Sequence, residues 1–187
     1  MEQRYLKMHE IQTRSDGEDL TIEGYFAVFD DVYHICQGAT ESIRAGAFAD
    51  SIKGDVRALY NHNMDLVLGR TSSNTLELRE DEKGLWGRIK INKNDTDAMN
   101  AYERIARGDI TGCSFGFDIG AEEVENREDG SVHWTITRVE PLYEVSPCVF
   151  PAYEATSINA RANQLAEIKK REAEAWKLKT MKRLKGE

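Results

Sequence analysis

The chain has 187 residues, of which 40% are apolar and 31% charged, and its net charge is −8. This length and composition are those of a globular chain with one good core, and they argue against a disordered or fibrous protein. The apolar runs are too short for a membrane span, residues 1–7 lack the apolar segment of a signal peptide, and neither an internal repeat nor a glycine-rich phosphate loop is evident.

Short strands dominate the predicted secondary structure. Runs rich in β-branched and aromatic residues, separated by turn clusters, predict strands at 21–29, 57–61, 75–78, 85–91, 110–119, 132–139 and 142–149. One helix is predicted over 96–107, because Asp95 is a suitable N-cap, four apolar residues share one face and Gly108 ends the pattern. Many short strands with one or two helices indicate a mostly β fold of the α+β kind, with a closed or nearly closed antiparallel barrel.

The composition changes near Tyr153, which divides the chain into an expected domain at 1–160 and a tail at 161–187. The tail contains nine Lys and Arg against four Glu, so it carries +5 while the remainder carries −13. Its apolar positions do not hold a heptad, and a partly ordered basic helix is expected rather than a coiled coil. A solvated helix is the plainer interpretation, and we favour a docking segment for the scaffold or capsid assembly that is trimmed by self-cleavage. We expect neither a nucleic acid nor a membrane partner.

Ser114 is a candidate nucleophile because of its place in the strand predicted at 110–119. Side chains alternate along a strand, so Cys113, Phe115 and Phe117 form the core face while Ser114 points the other way. Gly116 is on the same face as Ser114 and leaves open space beside the hydroxyl. A strand serine beside a packing glycine is the plainer interpretation of this segment alone.

His62 is a candidate general base for that serine. It stands where an apolar strand gives way to the polar residues Asn61 and Asn63. A serine hydroxyl is a poor nucleophile until a neighbouring base takes its proton, and imidazole is the side chain best matched to this task near neutral pH. A lone histidine at a strand end is also a common surface or capping residue.

The three cysteines are expected to be reduced and structural. Cys113 shares the face of two phenylalanines, where a thiol behaves as a small apolar group rather than as a nucleophile. Cys36 and Cys148 belong to no Cys-x-x-Cys motif, and no histidine lies at metal-ligand spacing from any cysteine. We therefore expect no metal and no cofactor, and folding in a reducing compartment.

Several ordered blocks of the sequence resemble the HK97-type phage prohead protease family. They are GYFAVF at 24–29, IRAGAF at 43–48, DVRALYNHN at 55–63, VLGRT at 67–71, IARGDITGCSFGF at 105–117, YEVS at 143–146 and FPA at 150–152. They cover roughly residues 20 to 160, and two of them contain His62 and Ser114. One departure is Cys113, since the family often has Met or Ala before its serine.

The resemblance implies a serine endopeptidase of virus capsid maturation that works inside the assembling procapsid, in the host bacterial cytoplasm. Its substrate would be scaffolding protein or the scaffolding segment of the major capsid protein, and often the protease itself. The family's histidine falls on His62 and its serine on Ser114. The resemblance further implies a fold similar to the herpesvirus assembly proteases, in which the third catalytic residue is a histidine. It also implies a homodimer.

The third catalytic residue is expected to be acidic, and two glutamates compete for the role. In a regular strand Glu140 and Glu144 share one face. Pro141 cannot donate to a sheet ladder, so Glu140 is expected at an edge or a bulge, which favours Glu144 as the orienting carboxylate. Two other functions stay open: a catalytically silent scaffold-binding factor, and a carboxylate hydrolase that uses Glu140 and Glu144. Arg70 is a candidate charge near the site or a structural ion pair.

Overall fold

The protein is described by a computed structural model over residues 2–6, 11–16, 19–149 and 155–185. These residues form eleven strands and two α-helices. The strands are β1 (Glu2–Leu6), β2 (Gln12–Asp16), β3 (Asp19–Val28), β4 (Tyr33–Cys36), β5 (Ala39–Ile43), β6 (Arg57–Tyr60), β7 (Asn63–Arg70), β8 (Leu76–Glu80), β9 (Gly84–Lys90), β10 (Gly112–Asn126) and β11 (Val132–Cys148). The helices are α1 (Thr96–Ala106) and α2 (Ala155–Lys185).

The strands form two open sheets. The larger has seven strands, with β1, β10, β11, β5 and β4 in that order and with β6 joining β11 to β7. The smaller has the order β2, β3, β9, β8. The expected barrel is therefore wrong, because neither sheet closes on itself.

Strand β11 explains why the pairing is not purely antiparallel either. It is 17 residues long and pairs with β10 in an antiparallel ladder. Two other strands run parallel to it, β5 beside residues 132–136 and β6 beside residues 144 and 145. Parallel neighbours need crossover connections rather than tight turns, and such connections do not produce the hairpin series of an up-and-down barrel.

The core lies on the side of β10 to which the alternation of side chains assigned Phe115 and Phe117. Phe115 and Phe117 are fully buried and stack with their ring centroids 4.9 Å apart. Phe48 meets the Phe115 ring edge-on at 5.5 Å, a favoured geometry for aromatic pairs. These rings anchor the central β10–β11 pair and so hold the strand segments that carry the candidate residues.

Helix α1 begins and ends close to the predicted bounds. The Asp95 side chain accepts hydrogen bonds from the backbone N–H groups of Asp97 and Ala98, at 3.0 and 3.2 Å, which caps the helix. Gly108 follows with a φ of +84°, a conformation that glycine adopts without strain.

Helix α2 runs across the expected domain boundary at residue 160. Leu165 is buried in a small apolar cluster with Ile35, Ala39, Val132 and Trp134, and Ile168 packs against that cluster. Burying one leucine side chain is worth about 2 kcal/mol, which ties the helix to β4, β5 and the start of β11. Farther along, Trp176, Leu178 and Met181 are exposed. The division at 160 stays a prediction.

Candidate active site

His62 stands in a tight turn between β6 and β7. Asn61 and His62 have φ values of +55° and +60°, and Tyr60 pairs with Asn63 across them. Two consecutive residues with positive φ are typical of the primed turns that close two-residue hairpins. The turn is attached to the end of β11, because Asn61 N donates to the Pro147 carbonyl at 2.9 Å and its side-chain oxygen accepts from Val149 N at 3.3 Å.

Glu144 of β11 contacts the imidazole of His62, and Ser146 of the same strand contacts its backbone. The Nδ1 atom of His62 lies 2.8 Å from Oε1 of Glu144. The Ser146 hydroxyl accepts from the backbone N–H of His62 at 3.3 Å and donates to Oε2 of Glu144 at 2.5 Å. Glu144 is 3% exposed and Ser146 is fully buried, so both contacts are shielded from water.

The contact with Glu144 determines which ring nitrogen of His62 carries the proton. A carboxylate only accepts hydrogen bonds, so Nδ1 is the N–H side and Nε2 of the neutral ring presents its lone pair. Nε2 is buried and has no hydrogen-bond partner among the residues that the structure describes. A neutral imidazole with a vacant Nε2 can accept a proton from a hydroxyl brought against it.

Ser114 lies on β10 directly opposite Ser146 of β11, and Gly116 lies opposite Glu144. Side chains that face each other in an antiparallel pair point to the same side of the sheet, with Cβ atoms about 4.5–5.5 Å apart. The sheet therefore brings Ser114 onto the face that carries Glu144 and Ser146, one strand further from the His62 turn.

The expectation of an accessible serine hydroxyl with open space beside it is wrong. Ser114 is 0% exposed, and Gly116 is buried as well. Alternation predicts the face on which a side chain lies but not what covers that face. The vacant Nε2 of His62 makes no hydrogen bond to Ser114 in this conformation.

The structure separates the two candidate glutamates. Glu140 is exposed and lies 3.5 Å from Arg138 as an ion pair, whereas Glu144 is buried against His62. The β10–β11 register shifts repeatedly between Gly116 and Glu122, and Glu140 lies in this irregular stretch. The two glutamates therefore differ in burial and in hydrogen-bond partner.

Cys113 is a core side chain, as predicted. It is 2% exposed, and burial raises the pKa of its thiol well above the usual value. Burial likewise raises the pKa of Cys148 to about 12. Both thiols are therefore protonated near neutral pH, which excludes Cys113 as a thiolate nucleophile. All three cysteines are free of disulfides.

A pocket of about 290 Å³ opens beside His62 and Glu144. Its other walls are Arg57 and four apolar or aromatic side chains, Leu59, Met64, Val67 and Tyr143. Arg70 does not line it: its guanidinium binds Asp55 through two hydrogen bonds of 2.8 and 2.5 Å and lowers the pKa of that carboxyl strongly. The interpretation of Arg70 as half of an ion pair is thus confirmed.

Sequence reasoning missed Ser146 and the apolar pocket. Ser146 follows Glu144 by two residues in the YEVS block, so their shared face was predictable from alternation. No pattern indicated that its hydroxyl would bridge Glu144 and the His62 backbone. The pocket is formed by β6, β7 and β11 together, and β7 had no strand signal.

No helix in the described ranges is long and apolar enough to cross a membrane. In the same ranges, no three His, Cys, Asp or Glu side chains are grouped in a way that could hold a metal ion.

Known proteins similar to this chain include two phage assembly proteases. The family described as caudovirus prohead serine protease matches residues 7–171. The prohead protease of Enterobacteria phage HK97 is 28% identical over 171 residues, which are 89% of this chain and 71% of that protein. The solved structure of the bacteriophage T4 capsid assembly protease covers 76% of this chain and 99% of its own, with 11% identity and a TM-score of 0.36.

The family match decides between the chemistries considered above. A serine protease is not a carboxylate hydrolase, so the reaction based on Glu140 and Glu144 is wrong. The similarity to herpesvirus assembly proteases stays a prediction. Because the matched region spans most of the sequence, this chain belongs to the caudovirus prohead serine protease family.

Proposed function

We propose that this chain is a capsid-maturation endopeptidase in which Ser114 is the nucleophile, His62 the general base and Glu144 the orienting carboxylate. The observation that carries the proposal is the state of the His62 ring. Nδ1 is held 2.8 Å from a buried carboxylate, while Nε2 is vacant among the described residues. Serine protease chemistry needs an imidazole in this arrangement.

The proposed reaction assigns one task to each group. The Ser114 hydroxyl attacks the scissile carbonyl carbon and passes its proton to Nε2 of His62. Glu144 stabilises the resulting imidazolium through Nδ1–H, and His62 then gives the proton to the leaving amine. Water enters in place of the amine and hydrolyses the acyl-enzyme with His62 again as the base.

Substrate access requires a movement in this proposal. Ser114 and Nε2 of His62 are both buried, and no hydrogen bond joins them. Nucleophile and base must come within about 2.6–3.2 Å of each other, although such contacts are often longer before substrate binds. The conformation described here is consequently a resting one, and peptide binding must open the site and bring the two groups together.

The proposed substrates are scaffolding protein or the scaffolding segment of the capsid protein, cut inside the procapsid in the host cytoplasm, and the protease itself. Membership of a prohead protease family and the names of the similar phage proteins support this choice. We include the basic tail as a docking segment removed by self-cleavage, since its charge is opposite to that of the rest of the chain. The homodimer stays a prediction.

The test is to express the chain with the scaffolding and capsid proteins of its own phage and to follow cleavage by mass spectrometry. Ser114→Ala should lower turnover by about 10⁶, the usual cost of losing a triad nucleophile. Cys113→Ser is the matched control on the neighbouring residue, and circular dichroism should show both variants folded. Activity that survives Ser114→Ala would remove the assignment.

A further inference from the structure

The pocket beside His62 has apolar walls that are open to solvent. Met64 is 74% exposed, Val67 46% and Tyr143 38%. Three of the large apolar side chains exposed in the described part of the chain thus surround one cavity next to the proposed base. Exposed apolar side chains that cluster in this way mark binding surfaces more often than scattered ones do.

Apart from the vacant Nε2 of His62, the polar groups around the pocket have partners among the described residues. Arg57 donates to the Asp55 carbonyl at 2.8 Å and lies 3.0 Å from the Asp55 carboxylate. The Tyr143 hydroxyl donates to Asp118 at 2.6 Å. Glu144 is engaged by His62 and Ser146. A charged ligand group would therefore find no uncompensated charge here, whereas an apolar group would find several apolar surfaces.

The size of the pocket limits what can occupy it. Its volume is about 290 Å³, at or below the smallest pockets that hold drug-sized ligands, which start at about 300 Å³. A single large side chain fits this space better than a nucleotide does, and the apolar walls disfavour a sugar. Because His62 and Glu144 form one wall, the occupant must lie close to the bond that His62 would help to break.

We propose that this pocket is a specificity subsite that binds one bulky apolar side chain of the substrate, such as Leu, Met or Phe, within two residues of the scissile bond. The proposal rests on the proposed function and adds the substrate class. Each methylene that an apolar subsite accommodates is worth about 10–200-fold in discrimination. Substrates with an acidic or basic side chain at this position should be cleaved poorly.

The experiment is digestion of a peptide library by the full-length protein, with the cut sites read by mass spectrometry. Wild-type protein should enrich Leu, Met and Phe at least about tenfold over Asp and Lys at one position within two residues of the cut. Val67→Trp fills the pocket. It should replace the preference for large apolar side chains with a preference for Ala and Gly at the same position. Met64→Asp places a carboxylate at the exposed rim and should shift the preference towards Lys and Arg.

Val124→Trp is the matched control, because Val124 is 49% exposed and does not line the pocket. It should leave the cleavage profile unchanged. A wild-type profile without apolar enrichment, or pocket variants that match the control, would overturn the subsite while leaving Ser114-dependent cleavage in place. Absence of any Ser114-dependent cleavage of library and scaffold alike would instead overturn the proposed function and the subsite with it.

Discussion

The two ends of β11 each meet a histidine, and the two histidines have opposite hydrogen-bonding patterns. His133, near the start of the strand, has both ring nitrogens occupied, Nδ1 by the Thr40 hydroxyl at 2.8 Å and Nε2 by the Ser42 hydroxyl at 3.0 Å. His62, near the other end, has Nδ1 on a carboxylate and Nε2 vacant among the described residues. Both sites also place a serine hydroxyl beside the histidine.

The two patterns separate a histidine with both ring nitrogens satisfied from one that has a nitrogen left for a reacting group. A ring whose two nitrogens are both hydrogen-bonded to hydroxyls is satisfied, and it has no position left for a reacting group. A ring oriented by a carboxylate on one side only is prepared to act on the other side. Residue types alone do not separate the two sites, since each combines His, Ser and a nearby glutamate.

Replacement of each histidine in turn should give the largest difference between the two sites. His62→Ala should lower cleavage by about 10⁶, because the base and the nucleophile act as one unit. In wild-type protein the rate should also fall in acid, where a protonated imidazole cannot accept the serine proton. His133→Gln should keep near-normal rates and the same pH profile. If the fall of the rate in acid disappeared in His133→Gln instead, the general base would be His133.

The glutamates provide the next largest effect. Glu144→Gln keeps the shape of the site but no longer holds the His62 tautomer, a change that costs about 10⁴ in serine proteases. Glu140→Gln should be nearly neutral, because Glu140 is exposed and paired only with Arg138 in the described structure. Single-turnover kinetics of the two variants on one peptide decide the question. The reverse order of severity would move the role to Glu140.

Replacement of the serine beside each histidine should have a smaller effect. Ser146→Ala removes the hydroxyl that joins Glu144 to the His62 backbone, and a hydrogen bond to a charged group is worth about 1.5–3 kcal/mol, or roughly 10–100-fold in rate. As a positioning residue, Ser146 should affect kcat and not KM, and Ser146→Thr should restore most of the rate. Ser42→Ala should lower Tm and leave kcat unchanged. A purely structural Ser146 would behave like Ser42.

The smallest expected effect is a pH dependence of stability at the His133 site. Burial, helped by the charge of Arg127, lowers the pKa of His133 from 6.5, although Glu125 and Glu41 act in the opposite direction. The unfolded chain then binds the proton more readily, so this contribution to stability is full above pH 6.5 and is lost as the pH falls below it. Calorimetry from pH 7.5 to 5 should show a steeper fall of Tm in wild type than in His133→Gln. One kcal/mol of stability corresponds to a Tm shift of about 2–4 °C in a chain of this size. Equal slopes of Tm against pH in the two proteins would contradict the assignment.

The elements that the sequence predicted well are those with a clear buried face. Strands β3, β6, β8 and β9 and helix α1 lie within a few residues of their expected bounds. The strand expected at 110–119 begins at Gly112 and extends to Asn126. Its second half was missed because it leaves the core and exposes charged residues. Periodicity detects burial, so it cannot follow a strand that continues into solvent.

The missed strands lack such a pattern. Strand β5 has the sequence ATESI and looks like a polar turn, yet Glu41 and Ser42 are buried in it. Strand β7 is mostly exposed along its first half. Strand β5 is held by pairing with β11, a neighbour distant in sequence that local propensity does not contain, whereas β7 pairs with β6 across the two-residue turn. The same reason applies to the site: His62, Ser114 and Glu144 were found by residue type and resemblance, whereas Ser146 and the pocket depend on which strands lie side by side.

The proposed role of His62 sets heat resistance against activity at the left-handed turn of Asn61 and His62. Asparagine tolerates a positive φ, but a histidine there carries backbone strain of about 1–2 kcal/mol, which glycine would relieve. Selection for a higher melting temperature alone would therefore favour removal of the imidazole from this position. In the proposed mechanism the chemistry of the imidazole, rather than the folding of the hairpin, determines what residue 62 must be.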